Sequence, residues 1–342
     1  MIYPWQREVW AALQRDRAHQ HHALLLHGAK GIGKTEFAKS FAQSLLCATP
    51  TADGMACGQC AECHWFSQGS HPDFRELVPE ALLPENGTLP EPQAGGEGKP
   101  DKKAATQITI QQVRALRGFL ALSSHRLNGR RAILIQPAES MNVFAANALL
   151  KLLEEPPAGT VFLLVCADMR RLLPTILSRC RKLAMPLPNT EEASAWLRDQ
   201  GVQQPQLTLA QSGGAPLEAL ALVDAEYQAD RREFLAQLIQ LRSSGAALEL
   251  AVMAQRLALP VPLRWLVTWC YDLFRARLTG TVKYNLDYVE PIRALAGKMA
   301  LDRLLLFEER LRIAAQSVNH PLNPRLFLEH LLLSYAQLQS DK

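Results

Sequence analysis

Nowhere in the 342 residues does an apolar run reach the roughly 18 residues of a membrane span, so no membrane-embedded role is expected. The opening residues, MIYPWQREVW, lack the basic-then-apolar pattern of a secretory leader, and a cytoplasmic location is the expectation. Charge of one sign is scarce as well. Lys plus Arg number 37 and Asp plus Glu 33, an excess of 37 − 33 = 4. That excess cannot by itself argue for nucleic-acid binding, which needs several clustered phosphate contacts. No internal repeat is visible. What is present is ordinary for a soluble globular chain: 48% hydrophobic and 20% charged residues, over a length that allows two or three domains. In a cytoplasmic setting the seven cysteines point to metal or free thiols before disulfides.

Five apolar runs read as strands: HHALLLHG, DFRELV, RAILIQ, TVFLLVC and RKLAMPL. Between them lie helices. Phe37, Phe41 and Leu45 recur every four residues, one buried stripe. Thr109 with Gln112 three residues on forms a capping box before Val113, Leu116 and Leu120. NVFAANALLKLLEE stops at Pro156-Pro157, which cannot continue a helix. Strands alternating with helices predict a parallel α/β sheet covered on both faces. Residues 79–107 are rich in Pro, Gly and charge without period, and read as a mobile surface insertion. After Pro188 the strands end. TEEASAWLRDQG and LTLAQSGGAPLEALALV predict a small helical unit, and the chain from Ala225 onward reads as helical, with Asn323 as N-cap and Pro324 as first residue of the last helix. The expected domains are residues 1–187, 188–224 and 225–342.

Gly28-Ala-Lys-Gly31-Ile-Gly33-Lys34-Thr35 matches the phosphate-loop pattern G-x-x-x-x-G-K-[ST] between a strand and a helix, the context that pattern requires. Glycines let backbone N–H groups close around phosphate, and a helix N-terminus adds a positive end. Lys34 would reach the outer phosphates of a nucleotide and Thr35 a Mg²⁺. The bland alternative is a glycine-rich turn with a chance lysine. Hydrolysis needs more: an acidic residue ending a second strand, to hold Mg²⁺, and a group that orients water. The strand Ala132–Ile135 is followed by Gln136 and Pro137, which supply neither. Glu139 lies two residues further and would serve only if the backbone turned back.

Cys47, Cys57, Cys60 and Cys63 have the spacing C-x9-C-x2-C-x2-C, which suits tetrahedral Zn²⁺ held by four thiolates in a structural role. An iron–sulfur run is the competing reading, although no Cys-Pro follows Cys63, and His64 or His71 could replace a thiol. Cys166, Cys180 and Cys270 sit in apolar stretches and read as buried thiols.

NALLKLLEEPP at Asn147–Pro157, FLLVCADMRRLLPTILSRC at Phe162–Cys180 and the cysteine loop after the phosphate-loop helix resemble the clamp-loader branch of the AAA+ ATPases, in its bacterial members. YPW near the start and GSHPDF at Gly69–Phe74 strengthen the likeness, which covers Tyr3 to Leu187 well and the helical remainder weakly. The resemblance implies an AAA+ α/β domain, a small helical lid and a helical collar joining five subunits in a ring. It implies ATPase subunits of gamma or tau type and the subunit delta as partners, with the sliding clamp and primer–template DNA met indirectly and no membrane. The family holds both motor subunits that hydrolyse ATP and stator subunits similar in fold. In motors, Gln136-Pro137 would be Asp-Glu. The first sensor position falls near Cys166–Ala167 and the second, an arginine in motors, near Leu217, so three hydrolytic parts are absent together. The Ser-Arg-Cys motif survives as Ser178-Arg179-Cys180, and the resemblance implies that Arg179 projects into a neighbour's ATP site. A surface or ion-paired arginine is the plain alternative.

The expected role is therefore a non-hydrolysing stator with structural zinc, while ATP or ADP binding at the intact loop stays open. A self-sufficient ATPase is one competitor, opposed by Gln136 and Pro137. A zinc-dependent nucleic-acid-binding module is another; it would need a basic patch beside the cysteines, yet no Lys or Arg lies between Cys47 and Asp73.

Overall fold

Five apolar runs form one parallel sheet in the computed structural model, which describes residues 2–16, 21–83, 105–121, 129–318 and 323–340. Of the expected insertion at 79–107, residues 84–104 lie outside the described residues. The strands are β1 (Ala23–His27), β2 (Phe74–Leu77), β3 (Arg131–Ile135), β4 (Thr160–Cys166) and β5 (Arg181–Ala184). Their order is β2-β3-β4-β1-β5, every pairing parallel. Leu25 of β1 stands opposite Leu164 of β4, and Ile133 of β3 opposite Phe162.

The first unit also contains α1 (Arg7–Arg15), α2 (Lys34–Leu46), α3 (Ala61–Ser67), α4 (Ile110–Ala121), α5 (Val143–Glu154) and the single turn α6 (Pro174–Leu177). Side chains alternate across a strand, so both faces of the central strands must find cover. Leu25, Ile133, Ile135, Phe162 and Leu164 join Val113, Leu116 and Leu120 of α4 and Leu149 of α5 in one core. The alternate residues Leu24, Leu26, Leu134 and Leu163 are equally buried, and α2 lies against β1, β3 and β4. The stripe Phe37, Phe41 and Leu45 is buried as expected, with Trp10 edge-on to both phenylalanines at 5.7 and 5.8 Å. Thr109 and Gln112 exchange the capping-box bonds: Thr109 N donates to Gln112 Oε1 at 2.8 Å and Gln112 N to Thr109 Oγ1 at 3.4 Å. The fold class is thus the expected one, a parallel α/β sheet with helices on both faces, followed by helical structure.

Contacts divide the chain into two compact units, Met1–Pro188 and Asn189–Lys342. Among the described residues, the regular structure of the second is all helical. Its first three helices, α7 (Thr190–Asp199), α8 (Pro205–Gln211) and α9 (Pro216–Ala221), enclose a small core of Ala193, Leu197, Val202, Leu209 and Ala219. The larger core is built by α10 (Ala225–Gln240), α11 (Ser244–Ala254), α12 (Pro260–Thr279), α13 (Val289–Ala296), α14 (Leu301–Ser317) and α15 (Pro324–Ser340), around Phe234, Trp265, Trp269, Phe307 and Tyr335. Asn323 caps α15, accepting from Arg325 N at 3.0 Å. Asp272, fully buried on α12, accepts from the backbone N–H groups of Lys283, Tyr284 and Asn285 at 2.8–3.2 Å and from the Asn285 amide at 2.9 Å. The next turn is gripped from α10, where Arg231 meets both carboxylate oxygens of Asp287.

Candidate functional site

The phosphate-loop sequence connects the C-terminal end of β1 to the first turn of α2, in the crevice where open α/β sheets place ligands. Gly33 has φ +83°, and a Cβ there would stand 2.4 Å from the Tyr3 ring, so only glycine fits. Gly28 has φ +144°, with the Met185 carbonyl 2.8 Å from where its Cβ would be. Gly31 also has a positive φ. An N-terminal strap holds the loop from outside. Trp5 Nε1 donates to Ile32 O at 3.0 Å, and Gln6 Nε2 donates to the Ile32 and Gly33 carbonyls at 2.8 Å each. Tyr3 stacks on Trp5 with centroids 5.0 Å apart. YPWQ therefore orders the loop through its own carbonyls, a role that spacing alone did not reveal.

Lys34 is buried and folded over the loop, its Nζ donating to Gly28 O at 2.9 Å and Ala29 O at 2.6 Å. Burial pulls its ammonium below the usual lysine range, and the nearby charge of Glu139 opposes that shift. Thr35 Oγ1 donates to Gln136 Oε1, and Gln136 Nε2 donates onward to Glu76, which is paired with Lys39 at 3.0 Å. The neutral amide of Gln136 thus stands beside Thr35 where a hydrolytic site needs a carboxylate. Glu139 lies past the end of β3, as the sequence places it. A 3-10 turn at Ala138–Ser140 carries it back to the sheet end, where Oε1 accepts from Ala167 N at 2.9 Å. Burial, with this carboxylate alongside, pushes the Cys166 thiol up to about 12.

The four cysteine sulfurs all lie within 4.8 Å of one another, with Cys47–Cys60 at 3.9 Å and Cys57–Cys63 at 4.0 Å. A zinc tetrahedron with bonds of about 2.3 Å has edges of about 3.8 Å, so the donor set fits that ion in size and chemistry. Backbone N–H groups of Cys57, Gln59 and Cys60 point at the sulfurs of Cys47 and Cys57. Such bonds stabilise thiolate. A hydrogen bond from the Thr49 side chain, then those from Gln59 and Cys60, lowers Cys57 to about 5, whereas burial raises Cys63 to about 12. His71 stands apart from the cluster. Its Nδ1 accepts from Asp73 N at 3.0 Å and its Nε2 lies 2.9 Å from Glu62, which ties α3 to the start of β2. The remaining thiols Cys166, Cys180 and Cys270 are buried, as expected.

Ser178-Arg179-Cys180 links α6 to β5. Ser178 Oγ donates to Thr175 O at 3.0 Å and closes the turn, Cys180 is buried in the α4–α5 core, and Arg179 lies between them, partly exposed. Arg179 meets Thr175, Ser178 and Glu154, all of them outside the phosphate loop of its own chain.

A phosphate-loop sequence at the end of β1, on a five-stranded parallel sheet followed by helical units, defines an α/β module of the AAA+ class. Two family descriptions fit the chain: "DNA polymerase III, delta subunit" over residues 5–189, and "DNA polymerase III, delta subunit, C terminal" over residues 225–337. The chain is 37% identical to DNA polymerase III subunit delta′ of Pseudomonas aeruginosa, over 98% of each protein. It is 30% identical to DNA polymerase III subunit delta′ of Escherichia coli, over 88% of this chain and 85% of that one. Among solved structures, a gamma-subunit-related protein of DNA polymerase III from Thermotoga maritima aligns over 96% of this chain and 99% of its own, at 18% identity and a TM-score of 0.42. The chain belongs to the family of DNA polymerase III subunit delta′.

Proposed function

We propose that this delta′-family chain is a stator of the clamp loader: it hydrolyses no ATP itself and supplies Arg179 in trans to the ATP site of a neighbouring subunit. Its partners on this reading are gamma- or tau-type ATPase subunits and delta, in a cytoplasmic ring of five that loads the sliding clamp onto primed DNA. Cys47, Cys57, Cys60 and Cys63 hold a structural Zn²⁺, and four protein ligands leave no open position for a substrate water. The observation that carries the reading is the grip of Thr35 on the neutral amide of Gln136. That amide gives Mg²⁺ no charge, and Pro137 beside it has no group to orient water, whereas the arginine motif is intact.

The ordered loop, with Gly28, Gly31 and Gly33 at positive φ and the Lys34 ammonium folded over it, favours one second reading, in which the loop formed by Gly28, Gly31, Gly33, Lys34 and Thr35 binds nucleotide without turning it over. Calorimetry with ATP decides that point, and either result is compatible with a stator.

The test has two arms. Phosphate release by the pure chain should be undetectable; turnover near the ~10⁻² s⁻¹ of a GTPase with its arginine in cis, lost on Lys34→Ala, contradicts the reading. Arg179→Ala should slow DNA-stimulated hydrolysis by the assembled complex. Fingers supplied in trans are worth about 10³–10⁵ in GTPases, and a smaller loss is expected where several sites share the work. Lysine at this position should rescue poorly, since it keeps the charge and loses the planar fork. An Arg179→Ala complex that hydrolyses ATP at the unmutated rate removes the finger from the account.

A further inference from the structure

Arg179 is already held within its own chain. Its Nη2 lies 2.5 Å from Glu154 Oε1, while Nη1 donates to Thr175 O at 3.0 Å and to Ser178 Oγ at 3.3 Å. A guanidinium has five N–H donors. Both hydrogens of Nη1 have acceptors here, Nη2 meets Glu154 as an ion pair, and Nε–H makes no hydrogen bond among the described residues. The arginine side chain is 34% exposed and that of Glu154 47%, so both remain in contact with solvent.

The two residues reach each other from separate elements anchored in one core. Glu154 ends α5, directly after the buried Leu152 and Leu153, and Arg179 follows the buried Ile176 and precedes the buried Cys180. The backbone positions of both are therefore set by packing, and what the pair adds is the direction of the guanidinium plane. An exposed ion pair contributes little to folding. A long arginine left alone samples many rotamers, whereas one backed by a carboxylate and two oxygens presents its unused donors in a narrow range of directions.

We infer that Glu154 is a positioning residue for Arg179, aiming the finger so that its Nε–Nη2 edge is open to phosphate oxygens on an adjoining subunit. The inference rests on the trans-finger reading above. Glu154 touches no phosphate itself and acts through the arginine. Pre-orientation matters because a catalytic group displaced by about 1 Å can cost about 100-fold in rate.

The experiment assembles the full complex with the unmutated chain, Glu154→Ala, Glu154→Gln, Arg179→Ala or the double variant, and measures kcat and KM for ATP with primed DNA. Glu154→Ala should lower kcat by about 3- to 10-fold with KM unchanged, a partial form of that displacement cost. Glu154→Gln still accepts an N–H without the charge and should fall between. Arg179→Ala should cost more, and the double variant should match it, because Glu154 has nothing left to aim. Melting temperature and zinc content of every variant should equal those of the unmutated chain. Glu154→Ala at full rate while Arg179→Ala is slow overturns the inference and spares the finger. A faster Glu154→Ala also overturns it, since Glu154 would then be competing for the finger. If Arg179→Ala runs at the unmutated rate, the finger reading falls and this inference with it.

Discussion

Take the metal away and the loop before α3 should melt while the sheet stays intact. None of residues 48–61 is buried, and the main ties to the body are Cys47, Cys63 and a bond from Trp10 Nε1 to Asp53 O at 3.0 Å. Ordering a backbone costs about 1–2 kcal/mol per residue, so these fourteen residues cost about 14 kcal/mol at the low end. A structural zinc returns about 10–16 kcal/mol. The two are of the same size, and no apolar burial within the segment takes the metal's place. Cys60→Ser, or prolonged chelation, should therefore expose the amides of residues 48–70 to rapid hydrogen exchange. Strands β1, β3 and β4, whose core the loop does not share, should keep their protection. Elemental analysis of the unmutated chain should give one zinc and no iron. The pH dependence follows from the thiols. Zinc needs them deprotonated, and at neutral pH the raised Cys47 and Cys63 still hold their protons. Uptake must release those protons, so affinity rises with pH and falls as pH is lowered. A metal-free protein whose residues 48–70 are as protected as in the zinc-loaded form would refute this reasoning.

Two other outcomes follow from single residues. Asp272→Ala should destabilise the second unit by about 1–3 kcal/mol, because it leaves the buried N–H of Asn285 without its acceptor and takes the same acceptor from the part-buried N–H groups of Lys283 and Tyr284; thermal unfolding measures it, and a change within about 0.5 kcal/mol, that of an ordinary surface substitution, contradicts the account. Gly33→Ala should push Tyr3 from the loop and weaken the strap, costing about 1–3 kcal/mol and altering Trp5 fluorescence.

The strands were legible because buried parallel strands are short unbroken apolar runs, and TVFLLVC or RAILIQ has no other comfortable place. Capping boxes and the proline after α5 were legible for a similar reason, being local chemistry within four residues. The cysteine spacing announced a cluster, and the structure gathers all four sulfurs. Less of the crevice could be read. Gln136 could be seen to lack charge, but not to take the Thr35 hydroxyl across 101 positions. The return of Glu139 to Ala167 depends on the direction of one turn, which no periodicity encodes. YPW carried only a family likeness, and the grip of Trp5 and Gln6 on the phosphate loop could not be read, since their partners are backbone carbonyls and carbonyls leave no mark in a sequence. Glu154 and Asp272 were hidden likewise, each defined by a partner on another element.

Strand β5 has a consequence for how such chains can meet. It closes one margin of the sheet, hydrogen-bonded on a single side to β1, and carries Arg181 and Lys182 in the open. Two copies approaching margin to margin would set these cations against each other, and among the described residues only Arg181 has an ion-pair partner, Asp16 at 2.7 Å. The bare row of peptide groups is thereby guarded against continuation into a second molecule's sheet. Association by strand addition is thus discouraged at the very strand that follows Ser178-Arg179-Cys180, so the charges that open β5 keep this margin of the sheet from serving as a template.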